Sequence, residues 1–153
     1  MSRLELKIPP VAVVLLAGLI MWLVAAALPS LAFPFPYQIV LALVFAAAGI
    51  LVAVLGVGSF VRAGTTVDPT RPQGATSLVD DGIYRFTRNP MYLGFLVFLV
   101  GWAIFLAHAV AWAVIPVFIV YMNRFQIRPE ERALLAKFGE VFSAYQRSVR
   151  RWL

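Results

Sequence analysis

Three long runs without a formal charge divide the sequence, at residues 11–28, 39–61 and 90–123. About 20 predominantly apolar residues cross a bilayer as an α-helix, so each of the first two runs is long enough for one crossing. A continuous helix over the third run would be roughly 50 Å long, well beyond a hydrocarbon core of about 30 Å. We therefore predict that the third run is a tight helical hairpin that turns near residues 107–109, with its second arm distorted at Pro116.

These runs predict an all-α integral membrane protein with about four transmembrane helices, the last two forming the hairpin, and a cytoplasmic C-terminal helical segment. The expected parts are spans at 11–28, 38–61, 91–107 and 109–123, a cytoplasmic loop at 62–90 and a cytoplasmic tail at 124–153. We expect the whole chain, 1–153, to be a single membrane-embedded domain. The first run is longer than the ~7–15 apolar residues of a signal peptide, so we expect it to be retained. Small residues on the second span are expected to pack against a neighbouring helix, namely Gly49, Gly56, Gly58 and Ser59.

The composition also indicates a membrane protein, and it excludes several kinds of functional site. The chain is 62% hydrophobic and 13% charged, whereas soluble domains carry about 25% charged residues. It contains no cysteine, which excludes disulfides, thiolate nucleophiles and cysteine metal ligands. His108 is the single histidine, so we expect no metal site, and we expect His108 itself to be an exposed residue of the hairpin turn.

The basic residues indicate the orientation in the membrane. All 13 Lys and Arg residues lie in the N-terminal lead, the 62–90 loop or the 124–153 tail, and the turns at 29–38 and 107–109 contain none. Because membrane loops rich in Lys and Arg stay in the cytoplasm, we predict a multi-pass protein with both termini and the large loop on the cytoplasmic side. The same bias explains the net charge of +6 without a nucleic-acid partner.

The two cytoplasmic segments have different patterns. The 62–90 segment is rich in Gly, Pro, Asp and Thr, and its apolar and aromatic residues predict an ordered loop. In the tail, Pro129 followed by two carboxylates predicts a helix start, and Gly139 predicts the end of that helix. An apolar face beside a basic one then predicts an amphipathic segment that lies in the membrane interface. That face consists of Phe138, Val141, Phe142 and Tyr145, with Trp152 beyond it.

No ionisable residue lies inside a predicted span, which argues against transporters and channels because these usually place one there. We therefore expect any chemistry at the cytoplasmic face, where arginines, tyrosines and carboxylates flank the hairpin. Guanidinium groups suit a carboxylate, carboxylates suit an ammonium group and aromatic rings suit a flat base, so this set can bind a zwitterion. On charge pattern alone, such arginines are more often membrane anchors and such carboxylates more often a helix start. The polar set comprises Tyr84, Arg88, Asn89, Tyr92, Arg124, Arg128, Glu130 and Glu131.

Two motifs are more specific than the charge pattern. The first runs from Leu78 to Gly94 as Leu-Val-x-x-Gly-x-Tyr-Arg-x-x-Arg-Asn-Pro-x-Tyr-x-Gly, and the second is Glu130-Glu131-x-x-Leu-x-x-x-Phe-Gly139 followed by Tyr145. With these motifs, residues 62–152 resemble the isoprenylcysteine carboxyl methyltransferase family and the related phospholipid N-methyltransferases. The resemblance implies a membrane-embedded methyltransferase that uses S-adenosylmethionine. The absence of a strand, Gly-x-Gly-x-x-Gly and helix pattern agrees with a family unrelated to the Rossmann-like methyltransferases.

The resemblance also implies roles for individual residues. The cofactor is expected to contact Thr76, Ser77, Leu78, Val79, Tyr84, Asn89, Pro90, Met91, Tyr92 and Glu130. The residues that we predict to be catalytic are Arg88, Arg128 and Glu131. The substrate-side arginine of the family corresponds to Arg124 or Arg128, of which we prefer Arg128. Many members have His-Pro where this chain has Asn89-Pro90, and because asparagine does not titrate near neutrality, we assign Asn89 no general-base role.

The predicted reaction is S-adenosylmethionine-dependent methyl transfer to a lipophilic acceptor that enters laterally between helices. An isoprenylated cysteine, a phospholipid amine, a small thiol and a lipophilic small molecule are all compatible acceptors, and membrane lipids are expected partners. Two other functions stay open. One is an NADPH-dependent membrane reductase related to sterol reductases, which would need a further basic cluster for the 2′-phosphate. The other is a non-catalytic helical membrane partner protein.

Overall fold

The computed structural model describes residues 5–65 and 74–153, so residues 1–4 and residues 66–73 of the predicted loop lie outside the described part. Within the described part the predicted all-α class is confirmed, because the regular elements are helices and no strand is formed. The α-helices are α1 (Pro10–Ala27), α2 (Gln38–Arg62), α3 (Pro90–Leu106), α4 (Val114–Met122), α5 (Arg128–Phe138) and α6 (Glu140–Ser148). Between them lie 3₁₀ turns at Pro29–Leu31, Gly82–Arg85 and Ala109–Ala113, and a π turn at Asn123–Ile127.

Three helical runs are long and apolar enough to cross a bilayer: α1, α2 and the continuous run Ala109–Phe138. With 17 residues, α3 is a shorter apolar helix. Large aliphatic side chains on the outer faces are exposed, such as Leu15 at 69% and Leu43 at 64%. Exposed apolar surface on this scale requires a hydrocarbon environment, so the chain is a helical membrane protein. The number of crossings and the orientation of the termini stay predictions.

The helix that carries the two tail carboxylates is continuous with the second arm of the hairpin. Pro129 lies in the first turn of α5 as predicted, yet α5 continues the run that begins at Ala109. Proline has no N–H and crowds the carbonyl four residues earlier, and the π turn immediately before Pro129 accommodates both effects. The carbonyl of Phe125, which lacks its helical donor, accepts a hydrogen bond from the Leu6 N–H at 3.0 Å. The N-terminal lead is thereby attached to the base of α5.

Glycines allow α2 and α3 to make direct backbone contact. A Cβ atom built on Gly49 would lie 2.6 Å from the Gly94 oxygen, and one built on Gly94 would lie 2.5 Å from the Gly49 oxygen. About two helical turns further along α2, a Cβ atom built on Gly56 would lie 2.9 Å from the Met91 side chain and 3.2 Å from its backbone nitrogen. Close approach of this kind is how helices associate in lipid, where packing replaces the hydrophobic effect. Gly58, which we expected in the same interface, has open space around its Cβ position.

The hairpin turn lies where the sequence predicts it. Ala107 has a φ of 43° and ends α3 at Leu106. The prediction that His108 is exposed is wrong, since this residue is only 1% exposed and its Nε2 lies 2.8 Å from the Leu28 oxygen. The neighbouring turn after α1 covers it, and the Phe33 N–H donates to the Ala107 oxygen at 2.7 Å. The two loops at this end of the bundle are therefore joined.

We expect Gly49→Ala to lower the melting temperature of the detergent-solubilised protein, because the added methyl group must displace backbone at a cost of about 1–3 kcal/mol. Gly58→Ala, on the same helix, is the matched control. Its methyl group enters open space, and alanine stabilises a helix by about 0.5–1 kcal/mol relative to glycine. The two identical substitutions should therefore shift the melting temperature in opposite directions. Equal shifts would contradict the assigned contact between α2 and α3.

Candidate active site

One end of the bundle is closed by α6, which packs against the turn that precedes α3. Phe142 and Tyr145 of α6 are buried with Val79 and Tyr84, and the Phe60 ring meets the Tyr84 ring edge-on with centroids 5.4 Å apart. The Tyr145 hydroxyl donates to the Tyr84 carbonyl at 2.7 Å. The prediction that this apolar face lies in the membrane interface is therefore wrong for Phe142 and Tyr145. The loop before α3 supplies the apolar surface that covers them.

The first half of the site is a tyrosine and a carboxylate from two different helices. Tyr92, in the first turn of α3, donates a hydrogen bond from its hydroxyl to Oε1 of Glu130 on α5. Tyr92 is 3% exposed, and Glu130 is half-buried. Among residues 5–65 and 74–153, no basic side chain forms an ion pair with Glu130. A carboxylate that is partly removed from water gains from a cation or further donors, so Glu130 is suited to an ammonium group.

The next carboxylate has the opposite environment. Arg88 Nη2 donates to Glu131 Oε1 at 2.9 Å, while Arg151 donates from Nε to Oε1 at 3.1 Å and from Nη2 to Oε2 at 2.6 Å. The Arg88 and Glu131 side chains are only 12% and 14% exposed. The two-pronged contact from Arg151 is the strong geometry for a guanidinium and a carboxylate. Both oxygens of Glu131 are thus bound by arginine side chains, whereas the neighbouring Glu130 accepts a hydrogen bond from Tyr92.

A short segment after α6, which we name the strap (Val149–Trp152), crosses the turn before α3. The Arg88 N–H donates to the Arg150 oxygen at 2.9 Å. The Asn89 side-chain Nδ2 donates to the Arg151 oxygen at 2.8 Å. The strap therefore holds the turn before α3 through its backbone, and it holds Glu131 through the Arg151 side chain.

Sequence reasoning missed Arg151 and misplaced Trp152. Trp152 packs against the main core and donates from Nε1 to Oδ1 of Asn123 in the π turn at 3.2 Å, instead of lying free in the membrane interface. Arg151 carried one signal in the sequence, its place in a basic tail, and that signal does not distinguish it from Arg150. Only the path of the strap selects which arginine meets Glu131.

Two buried phenols in this region remain neutral. Burial raises the pKa of Tyr84, and the neighbouring acidic groups Tyr145 and Glu130 raise it further. The pKa of Tyr145 is also raised, chiefly by burial, because the raising effect of burial and Asp80 exceeds the lowering effect of Arg88. Both hydroxyls are therefore protonated around neutral pH, and Tyr145 acts as a hydrogen-bond donor rather than a base.

Thr76 and Ser77, the first two predicted cofactor residues, lie against the end of α2. The Thr76 N–H donates to Thr65 Oγ1 at 2.8 Å, and Ser77 Oγ donates to the Ala63 oxygen at 3.4 Å. These two hydrogen bonds attach Thr76 and Ser77 to the residues that follow α2.

The remaining predicted cofactor residues pack in the hydrophobic clusters at this end of the bundle or begin α3. Val79 is buried beside Tyr84, with Leu78 packed on the same cluster. Pro90 and Met91 open α3, and Met91 packs against the main core. Their side chains are thus engaged in packing.

The two arginines predicted on the substrate side lie outside the ion network. Arg128 and Arg124 are both exposed. Arg124 is stacked near the Phe125 ring, with its guanidinium carbon 5.7 Å from the ring centroid. The structure therefore brings Arg88 and Glu131 together and leaves Arg124 and Arg128 on the surface of the same helical run.

An apolar groove of about 270 Å³ lies between α1, α2 and α3. It contains the glycine contact of α2 and α3, and Phe95 in its wall is one turn beyond Tyr92. One lining residue of the groove is therefore a helical turn away from the polar site, and all of its lining residues are apolar. Its lining residues are Val14, Gly49, Ile50, Ala53, Val54, Gly94, Phe95 and Phe98.

Comparison with known proteins identifies a family. The family described as phospholipid methyltransferase matches residues 37–141, which include α2 to α5, the first motif and the Glu130–Gly139 part of the second. A Haemophilus influenzae protein described as uncharacterized is 43% identical over 63 residues, which cover 41% of this chain and all of that protein. No solved structure gives a significant match.

A more distant relative has a described activity. The protein-S-isoprenylcysteine O-methyltransferase of Schizosaccharomyces pombe is 31% identical over 72 residues. These residues are 47% of this chain and 30% of the yeast enzyme, so the chain spans less than a third of that relative.

We expect Glu131→Gln to destabilise the protein by up to about 3–5 kcal/mol, because it removes the charge that the mostly buried Arg88 and the one-third-exposed Arg151 share. Glu140→Gln is the matched control. Glu140 and its partner Arg147 are 80% and 66% exposed, and exposed ion pairs contribute about 0–1 kcal/mol. Thermal unfolding in detergent measures both changes. A loss for Glu131→Gln no larger than for Glu140→Gln would contradict the central role of the ion network.

Proposed function

The chain belongs to the phospholipid methyltransferase family, and on that premise we propose that it transfers a methyl group from S-adenosylmethionine to a lipophilic acceptor at the membrane interface. Family membership alone indicates membrane methyltransferase activity in general. The observation that carries the finer proposal is the Tyr92–Glu130 hydrogen bond between α3 and α5. It joins the two motifs and leaves one carboxylate without an ion pair among the described residues.

The residues present fit the proposed methyl donor. Its amino-acid portion carries an ammonium group and a carboxylate, and Glu130 would hold the ammonium group by charge and hydrogen bonding. The hydroxyl of Tyr92 fixes the position of Glu130 before any ligand arrives, which reduces the cost of ordering the site. Bound there, S-adenosylmethionine would supply a methyl group already activated by its sulfonium charge.

The ion network has a supporting task in this proposal. Arg88 and Glu131 are engaged with each other and with Arg151, so we assign them a positioning role in place of the catalytic role predicted from the sequence. The exposed side chains of Arg124 and Arg128 remain available to an acceptor headgroup. A guanidinium group binds phosphate or carboxylate oxygens well.

The site offers little proton chemistry, which suits a carboxylate or thiolate acceptor, whereas an amine acceptor must first lose a proton. Asn89 occupies the position where many members have histidine, and an asparagine side chain cannot act as a base near neutral pH. The neutral phenols of Tyr84 and Tyr145 are not bases either. Rate acceleration would therefore come from alignment of the acceptor and exclusion of water.

The groove between α1, α2 and α3 supports a lipophilic acceptor. Its lining is entirely apolar, and Phe95 in its wall lies one helical turn beyond Tyr92 on α3. A hydrocarbon chain in the groove would place the attached polar headgroup near Tyr92 and Glu130. Both a phospholipid and an isoprenylated cysteine have this combination of chain and headgroup.

Tyr92→Phe and Glu130→Gln should each weaken binding of S-adenosylhomocysteine about tenfold or more, since each removes a hydrogen bond or charge worth roughly 1.5–3 kcal/mol. Isothermal titration calorimetry on the detergent-purified protein measures the change. Tyr121→Phe is the matched control for the tyrosine. Within the described part of the chain, the buried Tyr121 hydroxyl has no hydrogen-bond partner, so its removal should leave the affinity unchanged.

The same titrations test the other two functions. Binding of NADPH in place of S-adenosylhomocysteine would support a reductase, and binding of neither would support a non-catalytic partner protein. Unchanged affinity for S-adenosylhomocysteine in both Tyr92→Phe and Glu130→Gln would sink the proposed pocket.

Val54→Trp should fill the groove and reduce methyl transfer to lipids about tenfold, since it removes the space for a chain worth roughly 0.8 kcal/mol per CH₂ group. The assay incubates the protein with labelled S-adenosylmethionine and a lipid extract, and counts label in the lipid phase. Val44→Trp is the control, because Val44 lies on the same helix with 57% exposure against 60% for Val54, outside the groove lining. Affinity for S-adenosylhomocysteine should be unchanged in both variants. Equal transfer by the two variants would remove the groove from the acceptor site.

A further inference from the structure

The strap (Val149–Trp152) joins two parts of the site that come from distant parts of the chain. Its backbone accepts hydrogen bonds from the turn before α3, and the Arg151 side chain binds Glu131 on α5. Thr87 adds a further hydrogen bond from its Oγ1 to the Arg151 oxygen at 3.3 Å. Arg151 therefore contacts both parts of the site. Its carbonyl oxygen contacts the turn before α3, and its guanidinium group contacts Glu131 on α5.

The carbonyl contact decides how Asn89 presents its side chain. A carboxamide has one donor end and one acceptor end, and the surroundings select between its two orientations. The Arg151 oxygen can only accept, so Asn89 must turn its Nδ2 towards the strap, at 2.8 Å. The Asn89 Oδ1 is then the end left to accept a hydrogen bond from a ligand. Asn89 also precedes α3, so its orientation is set next to the helix that carries Tyr92.

The guanidinium contact decides where α5 lies relative to that turn. Arg151 binds both oxygens of Glu131, and this planar, two-pronged geometry restricts rotation as well as distance. Glu130 is the adjacent residue on the same helix, so a shift of Glu131 moves Glu130 relative to Tyr92. A displacement of about 1 Å in such a contact is enough to reduce the function of a site.

We propose that Arg151 is a positioning residue that sets the spacing between Asn89 and Glu130, and thereby the affinity for the methyl donor. The proposal rests on the proposed function, because it assigns Arg151 to the pocket formed by those two residues. Arg151 itself acts through Glu131 and Asn89 and need not touch the ligand.

The test compares Arg151→Met, Arg151→Lys and Arg147→Met by calorimetric titration with S-adenosylhomocysteine and by thermal unfolding without ligand. Methionine keeps an apolar stem but no charge, so the dissociation constant should rise about tenfold. Lysine keeps the positive charge but cannot bind both carboxylate oxygens in the two-pronged geometry, so Arg151→Lys should restore part of the affinity. Arg147, on α6, also pairs with a carboxylate, but at an exposed site, and Arg147→Met should bind like the unsubstituted protein.

A double variant tests the route of the effect. Because Arg151 is proposed to act on α5 through Glu131, Arg151→Met combined with Glu131→Gln should bind little worse than Glu131→Gln alone. In the transfer assay, Arg151→Met should raise KM for S-adenosylmethionine by more than it lowers kcat. Additive losses in the double variant would contradict the route through Glu131.

The outcomes separate this proposal from the proposed function. If the unsubstituted protein does not bind S-adenosylhomocysteine, the proposed function fails and this inference fails with it. If the unsubstituted protein binds and Arg151→Met has a lower melting temperature with the same affinity, Arg151 has a structural role only and this inference alone is overturned. Should Arg151→Met not fold, the same comparison for Arg151→Lys decides the question.

Discussion

The ion network at Glu131 is the interaction on which the site depends. Its two arginines come from the turn before α3 and from the strap, and the carboxylate comes from α5. Three segments that are distant in sequence are thereby held at one point close to apolar surface, where charged hydrogen bonds are strong and an unpaired charge is costly. Glu130, one residue away, is placed against Tyr92 as a consequence.

The glycine contact between α2 and α3 determines the other side of the site. Backbone contact at Gly49 and Gly94 brings α3 against α2 and leaves a groove beside it towards α1. In an apolar environment unpaired polar groups are costly, so charged side chains collect at the helix ends. The result is an arrangement in which the apolar groove lies one helical turn along α3 from the hydrogen bond between Tyr92 and Glu130. A reaction between a charged donor and a lipid needs that combination.

Several features of the fold follow directly from local chemistry and were predictable. Gly139, with a φ of 54°, ends α5, and Ala107 forms the hairpin turn between two apolar runs. Features that depend on a distant partner were not predictable in the same way. His108 is buried because the turn after α1 covers it. Phe142 has the sequence pattern of a membrane-facing residue, yet Val79 and Tyr84 bury it. An apolar side chain gains similarly from lipid and from protein, so its pattern does not reveal which one it contacts.

The sequence by itself determined the class of protein, the order of its helices and the two motifs whose spacing points to a membrane methyltransferase. These follow from hydrophobic run length and from local residue chemistry, which act over a few positions of the chain. Only the tertiary structure decided which of two adjacent carboxylates is saturated by arginine and which is paired with Tyr92. It also decided that Arg151, rather than its neighbour Arg150, completes the network. The physical reason is that hydrogen bonds and ion pairs depend on distance and direction in space, and these are set by the packing of the whole bundle.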